Sequence, residues 1–241
     1  MNTKSVAVLG LWLALGATSV AQIGLSQTSQ ASPAPKLAAM PREVREEIDR
    51  LASTDAGKRA TGALSLGQMG AKAEPAIPYL VPLLEDQTRV RSLGHGETEV
   101  GLVAGEAMVA LGPKETEMLI GQLKRENNAP RGARVTAARV LGMKKVTTAS
   151  PALRAALTPP DVHADFEGLY IVRALADLGD FGALGPIMTF LASKKPDSMT
   201  GQIGRQFYQK ELKRFTGQDF KDRSDALAWW QMNKPTANEN K

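Results

Sequence analysis

The chain has 241 residues, of which 43% are hydrophobic and only 5% aromatic, and its formal net charge is +5. This composition fits one domain or at most two with a helical core, because β-sheets favour aromatic and β-branched residues. The chain contains no cysteine, which excludes disulfides, thiol catalysis and cysteine-ligated zinc. A charge surplus this small gives little support to nucleic-acid binding, and we expect none.

The first 21 residues have the pattern of a secretory signal peptide. Lys4 supplies the positive start, an uncharged apolar run follows at residues 6–17, and Ser19 and Ala21 provide the small residues of a cleavage site. The apolar run is shorter than the ~20 residues that a membrane-spanning helix needs. We therefore predict cleavage after Ala21, a periplasmic or secreted location, and no stable membrane span after cleavage. An uncleaved membrane anchor is the alternative.

Two further segments lack the periodicity of a packed structure. Residues 22–40 are rich in Ser, Gln, Ala and Pro and are predicted to be a flexible linker, and residues 234–241 are predicted to be a disordered tail. Residues 41–233 between them are predicted to form one repeat domain.

One pattern occurs four times in this domain: an alanine-rich helix ending in Leu-Gly, a turn, and a second apolar helix. The four Leu-Gly pairs begin at Leu66, Leu111, Leu141 and Leu178, and successive leucines are 45, 30 and 37 residues apart. These spacings lie above and below the period of about 40 residues that a two-helix repeat is expected to have. The glycine of each pair is predicted to end its helix in the left-handed conformation, and Pro82 to kink the second helix or begin a new one.

Residues 59–86 resemble the HEAT repeats of bacterial proteins, and a weaker resemblance extends over about residues 45–195. The resemblance implies an all-α fold, an α–α superhelix of about four helix pairs, and usually a role in holding partners. An irregular helical bundle is the alternative.

Both ends of the array have the composition of capping helices. Residues 41–51 form a polar helix with an apolar line at Val44, Ile48 and Leu51. The C-terminal cap is predicted from Ile203, Phe207, Leu212, Phe220, Trp229 and Trp230. We expect the two tryptophans to pack against the last helices, with surface recognition as the alternative.

The sequence shows no convincing catalytic constellation. His95 and His163 are the only histidines, and each has a glutamate four residues later, Glu99 and Glu167. Such pairs share a helix face, but a lone histidine near a loop is a weak sign of a metal ligand. The short motifs of hydrolases, zinc proteases and nucleotide-binding proteins do not occur. We therefore predict no catalytic residue, no metal and no cofactor.

Two irregularities indicate where a partner would bind. The connection over residues 86–98 is long for a HEAT array, which makes Arg89, Arg91 and His95 candidate binding residues. Residues 122–154 carry eight basic residues against one acid, and Arg131 and Arg134 are further candidates there. The alternative, which we favour for this segment, is that its basic residues form ion pairs with the acidic repeats on either side.

These features favour a non-catalytic protein-binding scaffold or adaptor in the bacterial cell envelope, with a protein partner, and not an enzyme. One alternative is a module that binds a polyanion or an acidic ligand. Another is an enzyme resembling the HEAT-like bilin lyases, which act on a cytoplasmic tetrapyrrole and so conflict with the predicted export.

Overall fold

A computed structural model describes residues 37–92, 96–157, 165–193 and 210–234. The chain divides into two units, Met1–Ala34 and Pro35–Lys241, and all described residues lie in the second. The predicted signal peptide, residues 22–36 of the predicted linker and residues 235–241 of the predicted tail lie outside the described residues.

The described part of the second unit consists of helices, short 3₁₀ segments and one β-hairpin. The α-helices are α1 (Arg42–Leu51), α2 (Ala56–Gln68), α3 (Ile77–Leu80), α4 (Val100–Leu111), α5 (Pro113–Gly121), α6 (Arg131–Met143), α7 (Ser150–Ala156), α8 (Asp165–Leu178), α9 (Leu184–Ser193), α10 (residues 210–216) and α11 (Arg223–Asn233). The 3₁₀ segments are Leu37–Ala39, Gly70–Ala76, Val81–Glu85, Arg125–Asn127, Thr147–Ala149 and Phe181–Ala183. The strands are β1 (Arg89–Ser92) and β2 (Gly96–Glu99).

The first helices of the four repeats stack in chain order. Helix α1 packs on α2, α2 on α4, α4 on α6, and α6 on α8. Leu66 of α2 and Leu141 of α6, both from the repeated Leu-Gly pairs, are completely buried in the core between the helices. The predicted all-α fold, an α–α superhelix, is confirmed.

Two of the four Leu-Gly glycines do not end their helices. Gly179 ends α8 with a left-handed φ of 68°, as predicted, whereas Gly112 ends α4 in a different conformation, with φ 152° and ψ −175°. Gly67 and Gly142 instead lie inside α2 and α6, each against a neighbouring first helix. A Cβ on Gly67 would lie 2.9 Å from the Ala107 Cα, and one on Gly142 would lie 2.7 Å from the Ala174 Cα. These two glycines therefore permit close helix packing.

The second half of the first repeat is not one continuous helix. A 3₁₀ segment, the short helix α3 and another 3₁₀ segment follow one another over residues 70–85, with Pro78 and Pro82 near the starts of the last two. Proline is tolerated in a first helical turn because that amide has no intrahelical partner. The predicted break at Pro82 is confirmed.

The N-terminal cap is confirmed, and the folded part begins earlier than predicted. Val44, Ile48 and Leu51 are buried on one side of α1. Met40, which falls in the predicted linker, is also buried in the core, after a 3₁₀ turn at Leu37–Ala39. The apolar line of the cap therefore extends one turn further toward the N-terminus.

At the C-terminal end, the described aromatic residues pack as predicted. The Phe220 and Trp229 rings meet edge to face at a centroid distance of 5.7 Å. Trp229 and Trp230 are partly buried against the core, and Leu212 is fully part of it. Ile203 and Phe207 lie outside the described residues. Within the described residues, no helix is both long and apolar enough to cross a membrane.

Candidate functional site

The predicted long loop over residues 86–98 is largely a β-hairpin. Strands β1 and β2 pair antiparallel, with Arg89 opposite Glu99 and Arg91 opposite Glu97. The expectation of an irregular loop is wrong because the segment forms its own ladder of backbone hydrogen bonds. His95 lies outside the described residues, so its candidate role stays a prediction.

The base of the hairpin is held by hydrogen bonds to Arg59 of α2 and to the first residues of α4. The Asp86 carboxylate accepts a 2.8 Å hydrogen bond from the Arg59 Nε. The main-chain carbonyl oxygen of Asp86 accepts a 2.8 Å hydrogen bond from the Gly101 amide. The Val100 amide donates to the Thr88 carbonyl at 3.1 Å. Val90 packs inward against the core. The hairpin therefore projects from a fixed base.

Asp86 makes this attachment sensitive to acid. Burial alone would raise the pKa of Asp86, but hydrogen bonds from Arg59 and Thr88 together lower it below its ordinary value. Because the folded-state pKa is lowered, the stabilisation is present above the unfolded pKa of about 3.9 and is lost as pH falls through the folded pKa. We expect Asp86→Asn to weaken the pH dependence of thermal unfolding below about pH 4. If thermal unfolding of the Asp86→Asn variant depended on pH in the same way as that of the parent chain, this role of Asp86 would be contradicted.

Arg89 and Arg91 lie on the outer face of the hairpin. Residues directly opposite in an antiparallel pair share a face, so Arg89, Arg91, Glu97 and Glu99 point the same way, opposite to Val90. Arg89 and Arg91 are exposed, and neither side chain forms a hydrogen bond or ion pair with another described residue. Glu99 is turned toward α6, where it accepts a 2.6 Å bond from Arg139.

The structure separates the two candidates on α6. Arg131 is exposed at the start of the helix. The next residue, Gly132, lies beside the end of the first repeat, since a Cβ there would be 3.6 Å from the Gln87 Nε2. Arg134 is instead turned inward: its side chain is 19% exposed and holds both oxygens of Glu167 at 2.8 and 2.9 Å. Arg134 therefore joins two repeats, and Arg131 lies on the surface beside the glycine that faces Glu85 and Gln87.

Much of the basic segment forms interactions with neighbouring repeats. Four of its cations pair with carboxylates outside the segment: Arg134 with Glu167, Arg139 with Glu99, Lys144 with Glu106, and Arg154 with Asp180. Lys145 donates to the Asp177 carbonyl oxygen. The predicted alternative, ion pairing along the stack, is confirmed for these side chains.

The glutamates of the two histidine–glutamate pairs form ion pairs with arginines. Glu99 and Glu167 are partners of Arg139 and Arg134, and His163, like His95, is not among the described residues. Sequence reasoning also missed Tyr170, whose ring lies 5.2 Å below the Arg139 guanidinium. Among the described residues, no group of three or more acidic residues or histidines is placed to hold a metal ion.

A small cavity lies between α7 and the segment that follows α5. Its volume is about 230 Å³, and it is lined by Leu123, Lys124, Glu126, Ala152, Ala155 and Ala156. Pockets for cofactor-sized ligands usually measure about 300–1,000 Å³. This cavity is smaller than that range, and the exposed arginines of the hairpin offer a separate candidate surface for a large ligand.

Comparison with known proteins identifies the repeat. Residues 58–86 match the family described as PBS lyase HEAT-like repeat, and the chain is a HEAT-repeat protein. Among solved structures, the chain is similar to the complex of CpcE and CpcF of phycocyanin lyase from Nostoc sp. PCC7120. That similarity has 23% identity over 83% of this chain and 71% of that chain, with a TM-score of 0.41. A likeness this low carries no argument about function. A search of curated proteins finds no match.

The family match overturns the functional prediction. The matched repeat is named for a lyase, which is an enzyme, so the predicted non-catalytic scaffold and the prediction that the chain is not an enzyme are both wrong. The prediction failed because it took the lack of a short catalytic motif as a sign of binding alone. Of the functions considered from the sequence, the match favours the HEAT-like bilin-lyase-type enzyme.

Proposed function

We propose that the chain is an enzyme of the HEAT-like lyase class that acts on a tetrapyrrole chromophore and on the protein that carries it. The observation that carries this proposal is the match of residues 58–86 to the PBS lyase HEAT-like repeat. The matched segment contains both members of the Arg59–Asp86 ion pair and ends three residues before β1. The repeat that supports the proposal is therefore the one from which the hairpin projects.

The composition of the chain limits how it would act. Because it contains no cysteine, it cannot itself hold a chromophore through a thioether. It would hold the chromophore by non-covalent contacts, and any covalent bond to a thiol would form or break on a partner protein. The proposed reaction therefore requires a protein partner, and the role of this chain's side chains is to bind and orient the chromophore.

We further propose that the chain is exported, on the basis of the signal-like residues 1–21. The bilin lyases that it resembles act on a cytoplasmic tetrapyrrole, so export would place the reaction of this chain outside the cytoplasm. We expect N-terminal sequencing of the chain produced in a bacterial host to find Gln22 as the first residue, in a periplasmic or secreted fraction. Full-length protein beginning at Met1 in the cytoplasm would contradict export.

The lyase proposal is tested by chromophore transfer. The purified chain is incubated with phycocyanobilin and phycocyanin apoprotein, and covalent attachment is followed by bilin fluorescence on a denaturing gel. We expect faster attachment, or faster transfer from chromophore-bearing protein, than in matched reactions without the chain. Equal rates with and without the chain, together with no binding of the free bilin, would contradict the proposal.

A further inference from the structure

The six arginines of α2, the hairpin and α6 fall into two groups according to what their guanidinium groups contact. Arg59, Arg134 and Arg139 are partly buried, and each holds a carboxylate at 2.6–2.8 Å. Arg89, Arg91 and Arg131 are exposed, and none of their guanidinium groups forms a hydrogen bond or ion pair with another described residue. The first group stabilises the repeats, and the second is available to a ligand.

The two hairpin arginines are held at a defined separation. They are two residues apart on one strand face, which places their Cα atoms about 7 Å from each other. The hairpin base is fixed through Asp86, Thr88 and Val90, as described above. Two guanidinium groups projecting from such an element lose less conformational entropy on binding than two on a free loop.

The neighbouring acids decide which kind of anion fits this surface. Glu97 is exposed directly opposite Arg91 on the same face, and Glu85 is exposed just before the hairpin. A continuous polyanion lying along this edge would be repelled by both carboxylates. A ligand with separate carboxylates can reach the guanidinium groups individually, and arginine binds a carboxylate through two parallel hydrogen bonds.

We infer that Arg89 and Arg91 bind the two carboxylates of a dicarboxylate ligand. The inference rests on the proposed function, under which the ligand is a linear tetrapyrrole with two propionate groups. It assigns a role to the hairpin, the element that departs from the regular helix pairs. The site is a surface on β1 and does not require the small cavity beside α7.

The test compares biliverdin with biliverdin dimethyl ester, in which both carboxylates are neutralised. Binding to the full chain is measured by absorbance titration. We expect the free acid to bind at least about tenfold more tightly than the ester. The Arg89→Ala/Arg91→Ala double variant is expected to lose this preference, and Glu97→Gln to strengthen it. Arg42→Ala removes an exposed arginine from α1, far along the chain from the hairpin, and is expected to keep the preference.

The outcomes separate this inference from the proposed function. Binding of both compounds with equal affinity by the parent chain, or a preference that survives in the double variant, would overturn the carboxylate site and leave the proposed function standing. Binding of neither compound would contradict the proposed function, and the carboxylate site with it. Unchanged thermal unfolding of the double variant is the control for its fold, because both side chains are exposed.

Discussion

Replacing Arg134 with alanine is expected to lower the free energy of unfolding by about 3–5 kcal/mol. Its partner Glu167 has a side chain only 3% exposed, so the substitution would leave a buried carboxylate without its cation. Arg134 also donates a 2.6 Å hydrogen bond to the Ala129 carbonyl, which would lose that donor as well. Chemical denaturation of the two proteins measures the difference.

Two further variants test the assignment of Arg134 to structure. Arg131→Ala removes an exposed arginine from the same helix and is expected to change the free energy of unfolding by no more than about 0.5 kcal/mol. Replacing Arg134 by Met and Glu167 by Leu together is expected to recover much of the loss, because neither charge then remains buried alone. Equal effects of Arg134→Ala and Arg131→Ala would show that the pair contributes nothing specific.

Replacing Gly142 with alanine is expected to destabilise the stack by about 1–3 kcal/mol, although alanine is the better helix former. The new Cβ would lie 2.7 Å from the Ala174 Cα and 2.9 Å from its Cβ, so α6 and α8 would have to move apart. The same reasoning applies to Gly67 against Ala107. The expected result is a lower thermal unfolding midpoint for either variant.

Gly185→Ala provides the matched control for this prediction. Gly185 lies inside α9, and a Cβ there would meet its nearest atom, on Trp230, at an ordinary 3.7 Å. This substitution is expected to be neutral or to stabilise by up to about 1 kcal/mol, the helix propensity difference. If Gly142→Ala behaved like Gly185→Ala, close packing at Gly142 would not limit the stack.

The order of helices followed from the sequence, but the role of each glycine did not. A Leu-Gly pair inside a helix looks the same as one at its end, and the difference depends on Ala107 and Ala174 in the next repeat. One local signal was present: Gly70 follows Gly67 by three residues, and Gly70 takes the positive φ that ends the first repeat's helix. Close packing is a property of two segments, which a single repeat does not reveal.

The candidate surface was only partly predictable for similar reasons. The position of Arg89 and Arg91 in an irregular connection was visible, but their strands are short and polar, and Val90 is the only β-branched residue of β1. The structural role of Arg134 had a signal, because Arg59 and Arg134 both lie seven residues before the leucine of a Leu-Gly pair. Their carboxylate partners, Asp86 and Glu167, lie 27 and 33 residues later, and the repeat pattern alone did not identify them.

The most direct test of the lyase account is whether the intact chain binds a linear tetrapyrrole. Biliverdin is titrated with the purified chain while its visible absorbance spectrum is recorded. The spectrum of biliverdin in the same buffer without protein serves as the baseline. The account predicts a saturable change in the spectrum, since a bound bilin is held in one conformation and shielded from water. An absorbance spectrum identical to that of free biliverdin at every protein concentration would contradict the lyase account.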